Sequence, residues 1–353
     1  MICFKDVLVN PSPRILITRL SHIGDCILTM PLLAAIREQY PHAFIAWAVE
    51  SPSHKLLELH PLLDEIVVIP KGWMGKRKCW SELRQTFKRL KFDIAIDPQG
   101  ITKSAALGWI SGAKKRIGIR GRWGREFSPW LNNCLVETKS QHLVDRSLEL
   151  LSEIGIKASN IDYGLLLCEK STTSVEHALA RIDSQGRLKH GFCLINPGAG
   201  WRSRRWENDR FGSVASYLKR HHGMTSLVVW AGDEELEMAQ EIVAFDKDAS
   251  VLPPKTDLRE LAVLCQRASF YLGGDTGPMH LASAMGTPCI GLHGTTLPTE
   301  SGAHGAGHIS VQKWHQSGNR RKCENDAMRD ILAADVFLAC DEMLCRLGLK
   351  QAS

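Results

Sequence analysis

The chain alternates strand-like and helix-like segments through its first half and then repeats that alternation, and this restricts the fold more than any other feature. In the first half, apolar runs at Ile15–Arg19, Phe44–Val49, Ile66–Ile69, Asp93–Asp97 and Arg116–Ile119 are separated by helical apolar spacing over Pro31–Tyr40, Trp80–Leu90 and Thr102–Ile110. In the second half, runs at Phe192–Asn196, Ser226–Ala231, Val251–Leu252, Phe270–Gly273 and Cys289–Leu292 alternate with helical patterns near Asp209–Arg220, Leu236–Phe245, Leu258–Arg267 and Pro278–Met285. Such alternation predicts an α/β chain: two Rossmann-like, doubly wound parallel-sheet domains facing across a cleft. A length of 353 residues suits two domains of ordinary size. The polar, turn-rich sequence around residues 165–185 sets the expected limits at 1–175 and 176–325. The amphipathic stretch 326–353 is expected to return as a helix onto the first domain.

Composition narrows the class. With 44% hydrophobic and 23% charged residues the chain reads as soluble and globular. A formal charge of +6 favours an anionic substrate or surface without demanding nucleic acid, and no nucleic-acid partner is expected. Eleven scattered cysteines, with no C-x-x-C pair, read as reduced thiols. The N-terminal sequence carries no signal-peptide pattern, and no apolar stretch reaches the roughly 18 residues that a membrane span requires. A cytoplasmic location follows as the expectation, with attachment at a membrane surface left open.

In open parallel sheets, ligands bind at the carboxyl ends of the strands, beside helix N-termini that favour anions. Two stretches fit. "LSHIGDCIL" places Asp25 at a strand-to-helix turn, where a carboxylate serves either as a helix cap or as a general base. "YLGGDTGPMHLA" places Asp275, Thr276 and Gly277 just after a strand, with Pro278 at a plausible first helical position. There the glycines permit close approach of a ligand and Asp275 can accept from sugar hydroxyls.

Together, "RLSHIGDCILTMPLL", "DPQGITKSA", "NPGAGWRSRRW" and "GGDTGPMHLASAMGTP" resemble the lipopolysaccharide heptosyltransferases, glycosyltransferase family 9 with the GT-B fold, in the family's order from about residue 14 to about residue 300. The resemblance implies an inverting transfer of heptose from ADP-heptose to a hydroxyl of a lipid-linked, anionic lipopolysaccharide inner-core acceptor. It implies no cofactor and no catalytic metal, and a peripheral place at the inner membrane. It assigns Asp25 the role of general base. A cation must meet the leaving diphosphate, and the family's lysine is replaced here by arginine; Arg204 is the candidate, with Arg205 a second possibility. Thr276 and Gly277 would face the diphosphate and His280 would lie near it, while Glu235 would accept from the adenosine ribose. For the acceptor, Lys76, Arg77, Lys78, Lys103 and Arg125 are the candidates, with Arg120 and Arg122 nearby and Trp73, Trp80 and Trp123 interleaved. Charge runs of this kind are more often solvated faces.

Asp246-Lys247-Asp248 matches the D-x-D pattern by which other glycosyltransferases hold a divalent ion, but its polar setting after a helix reads as an exposed loop. Three alternatives remain open: a transferase using another nucleotide-diphosphate sugar, a nucleotide-dependent oxidoreductase, and a non-catalytic sugar-nucleotide binder. An oxidoreductase would need a G-x-G-x-x-G turn directly after its first strand, and "LSHIGD" stands there instead.

Overall fold

The computed structural model describes residues 11–349 apart from Leu59, Ser159, Arg320 and Arg321. Residues 1–10 and 350–353, which the expected domain limits and the reading of the N-terminus include, lie outside the described residues. The chain divides into two units, Met1–Leu166 and Leu167–Ser353, so the division falls earlier than the limit expected at 175.

In the first unit the strands β1 (Arg14–Thr18), β2 (Phe44–Glu50), β3 (Glu65–Ile69), β4 (Ile94–Ile96), β5 (Lys115–Ile119) and β6 (Cys134–Val136) form one parallel sheet in the order β3-β2-β1-β4-β5-β6. The apolar content of "RILIT" and "FIAWAVE" follows from position, because a central parallel strand is covered on both faces. Helices Arg77–Leu90 and Thr102–Ile110 cover one face: Leu83, Phe87 and Leu90 join Ala106 and Leu107 in a single apolar cluster with strand residues Leu16, Ala46 and Ala95. The order of connections reverses between β1 and β4. Their carboxyl ends therefore lie side by side, with Ile17 in register with Ile96.

The second unit repeats the design. Strands β7 (Phe192–Asn196), β8 (Thr225–Val228), β9 (Ser250–Val251), β10 (Phe270–Gly274), β11 (Cys289–Leu292) and β12 (Ile309–Val311) form a parallel sheet in the order β12-β11-β10-β7-β8-β9. Its switch point lies between β7 and β10, so "NPGAGWRSRRW" and "GGDTGPMHLA" leave neighbouring strands at the same end.

The C-terminal helix belongs to the second unit. Ala333–Arg346 buries Val336, Ala339, Cys340, Met343 and Leu344, a stripe at helical spacing. These side chains belong to the core of the second unit, with Val214 and Leu218 of helix Asn208–His222 and with Ile290 and Leu292 of β11. Polar contacts fix the register: Tyr217 Oη donates to Asp341 Oδ2 at 2.7 Å, and His222 Nε2 lies 2.9 Å from Asp341 Oδ1. The helix thus completes the second unit's own helical layer.

Candidate active site

In the first unit, Asp25 sits in the first turn of a short helix, Ile23–Ile27, that follows β1 directly. Both readings of this residue find support in the geometry. Asp25 Oδ2 lies 3.4 Å from the His22 N–H, a long capping contact, and 2.8 Å from Arg19 Nη2. The ion pair is lopsided in burial: the Arg19 side chain is 6% exposed and that of Asp25 38%. A carboxylate gripped from inside while reaching solvent is suited to meet a hydroxyl from outside.

Arg19 is itself fixed. Its Nη1 donates to the Pro98 carbonyl at 3.2 Å, and its own carbonyl accepts from the indole N–H of fully buried Trp47 at 2.9 Å. The loop after β4 supports the same turn. Buried Asp97 accepts from the N–H groups of Gln99 and Gly100 and from Asn132 Nδ2, at 3.2, 3.0 and 3.2 Å. Gln99 Oε1 in turn accepts from the Leu20 N–H at 2.8 Å. Gly118 makes this arrangement possible, since a Cβ there would come within 2.2 Å of Asn132 Nδ2. Burial pushes the Asp97 carboxyl above its ordinary range, and the hydrogen bonds it accepts pull the other way without cancelling the effect. Next to Asp25, the buried Cys26 thiol is pushed up to about 12, chiefly by burial, so it is no nucleophile. Sequence reasoning missed Arg19, Asp97 and Gln99; the "DPQG" stretch was the available signal for the last two.

Of the cations expected to meet an acceptor, Lys103 and Arg125 share one place. Gly100 adopts a left-handed conformation (φ 64°) with its Cα close against the loop 121–127: a Cβ there would lie 2.3 Å from the Trp123 carbonyl. Arg125 N–H donates to the Gly100 carbonyl at 2.8 Å, and Phe127 N–H donates to Thr102 Oγ1 at 3.2 Å. Trp123 is covered by the guanidinium groups of Arg122 and Arg146, 4.3 and 3.8 Å from its ring centroid. Lys76, Arg77 and Lys78 form a separate exposed group at the start of helix Arg77–Leu90, where Lys78 lies 3.9 Å from Glu82. Trp73, by contrast, is fully buried and belongs to the core.

In the second unit, the two loops at the switch point meet at a helix N-terminus, a kind of place that favours anions. Thr276 is the N-cap of helix Gly277–Ala284, whose leading N–H groups open toward the loop after β7. Arg204 Nη1 donates to the Asp275 carbonyl at 2.8 Å, while its buried Nε has no protein acceptor. Arg205 is committed elsewhere, paired through both terminal nitrogens with Glu234 and bonded to the Ala199 carbonyl at 3.2 Å. Arg204 is therefore the arginine directed at the helix start.

The Asp275 carboxylate departs from expectation. It is 2% exposed, with Oδ1 3.0 Å from His280 Nε2 and Oδ2 accepting from Ser301 Oγ at 3.0 Å. Both oxygens thus take protein partners, and no sugar hydroxyl is needed to satisfy them. Burial alone would raise its pKa. The His280 hydrogen bond and the charges of His280, His293 and Arg204 outweigh that and hold it far below the usual carboxylate range.

Glu235 lies in the first turn of the helix Asp233–Phe245 that follows β8. Its Oε2 accepts from the Ala231 N–H at 2.8 Å, and its carboxylate lies against the Cα of Gly198, where a Cβ would meet Oε1 at 2.2 Å. Burial raises its pKa. The two neighbouring glutamates divide: Glu234 is turned to Arg205 and Glu235 to the Ala231 N–H. Asp246, of the D-x-D match, is used up locally, accepting from Ser216 Oγ at 2.7 Å and from the N–H groups of Asp248 and Ala249.

Comparison with known proteins gives the family and the fold. The model of glycosyltransferase family 9 (heptosyltransferase) matches residues 80–329. The chain is 27% identical over 292 residues to the lipopolysaccharide core heptosyltransferase OpsX of Haemophilus influenzae, covering 81% of this chain and 80% of that protein. Among solved structures, a family 9 glycosyl transferase from Veillonella parvula superposes with a TM-score of 0.78 at 24% identity, covering 95% and 98% of the two chains. The E. coli heptosyltransferase WaaC with ADP gives 0.70 at 21% identity, with the same coverage. These neighbours bear out the GT-B reading of the two sheets.

Proposed function

The chain belongs to glycosyltransferase family 9, the heptosyltransferases, and from that premise we propose that it moves heptose from ADP-heptose to a hydroxyl of a lipopolysaccharide inner-core acceptor, with inversion. The observation that carries the reading is the cradle at the switch point of the second sheet. There Arg204, with a buried and unpartnered Nε, meets the N-terminus of helix Gly277–Ala284. Guanidinium and helix N–H groups are the combination that holds a diphosphate and steadies the charge it gains on leaving.

In the reaction, Asp25 takes the proton of the acceptor hydroxyl as that oxygen attacks the anomeric carbon, and ADP departs from the opposite face. Arg19 aims the carboxylate; it positions rather than reacts. Thr276 and Gly277 offer hydroxyl and N–H donors to the diphosphate. Asp275 acts from within by holding His280 in the first turn of that helix. Glu235 accepts from the ribose. Lys103 and Arg125, with Lys76, Arg77 and Lys78, bind the anionic acceptor, which is lipid-linked and keeps the enzyme peripheral at the cytoplasmic side of the inner membrane. Among the described residues no helix is long and apolar enough to cross a membrane.

The test is direct transfer. Purified chain with ADP-heptose and a heptose-free core acceptor should release ADP and add one heptose mass to the acceptor. GDP- and UDP-sugars should give no product; turnover with one of them instead would move the assignment to another donor.

A further inference from the structure

We propose that the outer side of the helical layer formed by Arg77–Leu90, Thr102–Ile110 and Ser128–Leu131 is a docking surface for an anionic phospholipid bilayer. The inference rests on the proposed function for its purpose, since a lipid-held acceptor gives a peripheral enzyme a reason to dock. Its evidence lies elsewhere, on residues with no part in the transfer chemistry.

These helices share one apolar cluster beneath them, in which Phe87, Leu107 and partly buried Leu131 meet over the sheet. Above it stand three large aromatic side chains that the core does not use: Trp109 is 54% exposed, Phe127 65% and Trp130 85%. A single exposed aromatic residue is ordinary, but a group of them on adjoining elements marks a contact surface. Phe127 and Trp130 pack edge to face with ring centroids 6.5 Å apart. Trp109 follows Thr102 by seven residues, two helical turns, and so lies on the side of its helix where Thr102 Oγ1 accepts from the Phe127 N–H. The three aromatic residues therefore belong to one side of the layer.

Charge identifies the occupant. Helix Arg77–Leu90 turns Leu83, Phe87 and Leu90 inward and exposes Arg84, Lys88 and Arg89, while its one acid, Glu82, is paired with Lys78. Exposed cations and exposed indole rings on helices of one layer are the arrangement by which a protein lies on an anionic interface, with the rings entering the headgroup level and the cations drawn to lipid phosphate. A second copy of this face would instead set like charges against each other.

Sedimentation with vesicles tests this. The full chain should co-sediment with vesicles of phosphatidylcholine and phosphatidylglycerol, weakly or not at all with phosphatidylcholine alone, and less as salt rises. Phe127→Ser/Trp130→Ser and, separately, Arg84→Gln/Lys88→Gln/Arg89→Gln should each lower the vesicle affinity by about tenfold or more. Both should keep the wild-type melting temperature and the wild-type rate on a water-soluble, delipidated acceptor. Unchanged vesicle affinity in both variants, or no preference of the wild type for anionic vesicles, would overturn the proposal. So would light scattering showing that the aromatic substitutions dissolve a dimer of the wild type. Vesicle binding without turnover on any nucleotide sugar would defeat the proposed function and leave this surface standing.

Discussion

Arg19 Nη2 lies 2.8 Å from Asp25 Oδ2, with the arginine sealed in the interior and the aspartate partly open to solvent. The pair means that Asp25 is held by more than its helix, since the capping contact to His22 N–H is the longer of the two at 3.4 Å. It also separates two ways of disabling the residue.

Asp25→Asn keeps an oxygen that can accept from Arg19 and from the helix N-terminus, but it cannot take a proton from the acceptor. Turnover should fall by about 10²–10⁴-fold with donor affinity unchanged. The melting temperature should drop only slightly, because the neutral amide still gives the buried guanidinium a partner. Near-wild-type turnover in this variant would reduce Asp25 to a cap.

Arg19→Gln tests positioning. The glutamine can still reach a carbonyl but no longer aims the carboxylate, and misplacement of a reacting group by about 1 Å costs up to 10²-fold. The loss should appear in kcat, with KM for donor and acceptor close to the wild type; an equal loss confined to KM would make Arg19 a binding residue instead.

The helix Thr102–Ile110 was legible in the sequence to the residue, and so were strands Phe192–Asn196 and Cys289–Leu292, because each carries its period or its apolar run without interruption. Strands β6 and β12, three residues each at the sheet edges, were not, since their side chains are only partly covered and carry no extended apolar run, whereas the equally short β4 is buried throughout. The C-terminal helix shows the deeper limit. Its stripe from Val336 to Leu344 announces that something covers it but not what, and the partner is chosen by Tyr217, His222 and the floor of β11. The motifs single out Asp25, Arg204 and Asp275 as positions. What the side chains do there depends on contacts far apart in sequence, such as Arg19 with Pro98 or Asp275 with Ser301.

His293 supplies a pH signature. Burial pushes its imidazole down to about 4, with the charges of His280 and Arg204 adding to this and that of Asp275 opposing it. A folded-state pKa below the unfolded value near 6.5 means that folding favours the neutral ring. The stability this contributes is whole above pH 6.5 and is lost as pH falls toward 4. Denaturant unfolding of the wild type should weaken across that window by up to about 3 kcal/mol on this account. In His293→Gln the slope between pH 6.5 and 4 should flatten, and an unchanged slope would assign it to another group.

The two arginines of "RSRRW" divide the donor reading. Arg204→Gln should lower ADP affinity by about ten- to a hundredfold, the scale of a charged hydrogen-bonding partner lost from a phosphate, and the salt dependence of binding should shrink with it. Arg205→Gln breaks the half-exposed pair with Glu234 and the bond to the Ala199 carbonyl, neither of which faces the helix start, and should leave ADP affinity within about threefold. Isothermal calorimetry on both decides, and the reverse ranking would transfer the role to Arg205.

Glu235 can be tested without touching it. Gly198 has no side chain, and the Glu235 carboxylate fills the space where one would be, so that an added Cβ would meet Oε1 at 2.2 Å. A glutamate tip is flexible and can swing aside, so Gly198→Ala should fold with a melting temperature close to the wild type while displacing the carboxylate from the end of β7. If that carboxylate accepts from the ribose, ADP affinity should fall by about five- to tenfold, one hydrogen bond's worth, while affinity for inorganic pyrophosphate, which has no ribose, should be unchanged. Glu235→Gln in the Gly198→Ala background should then add little, because the two substitutions remove the same contact. Equal losses for ADP and pyrophosphate would show that the alanine had disturbed the diphosphate cradle itself and would take the ribose role away from Glu235.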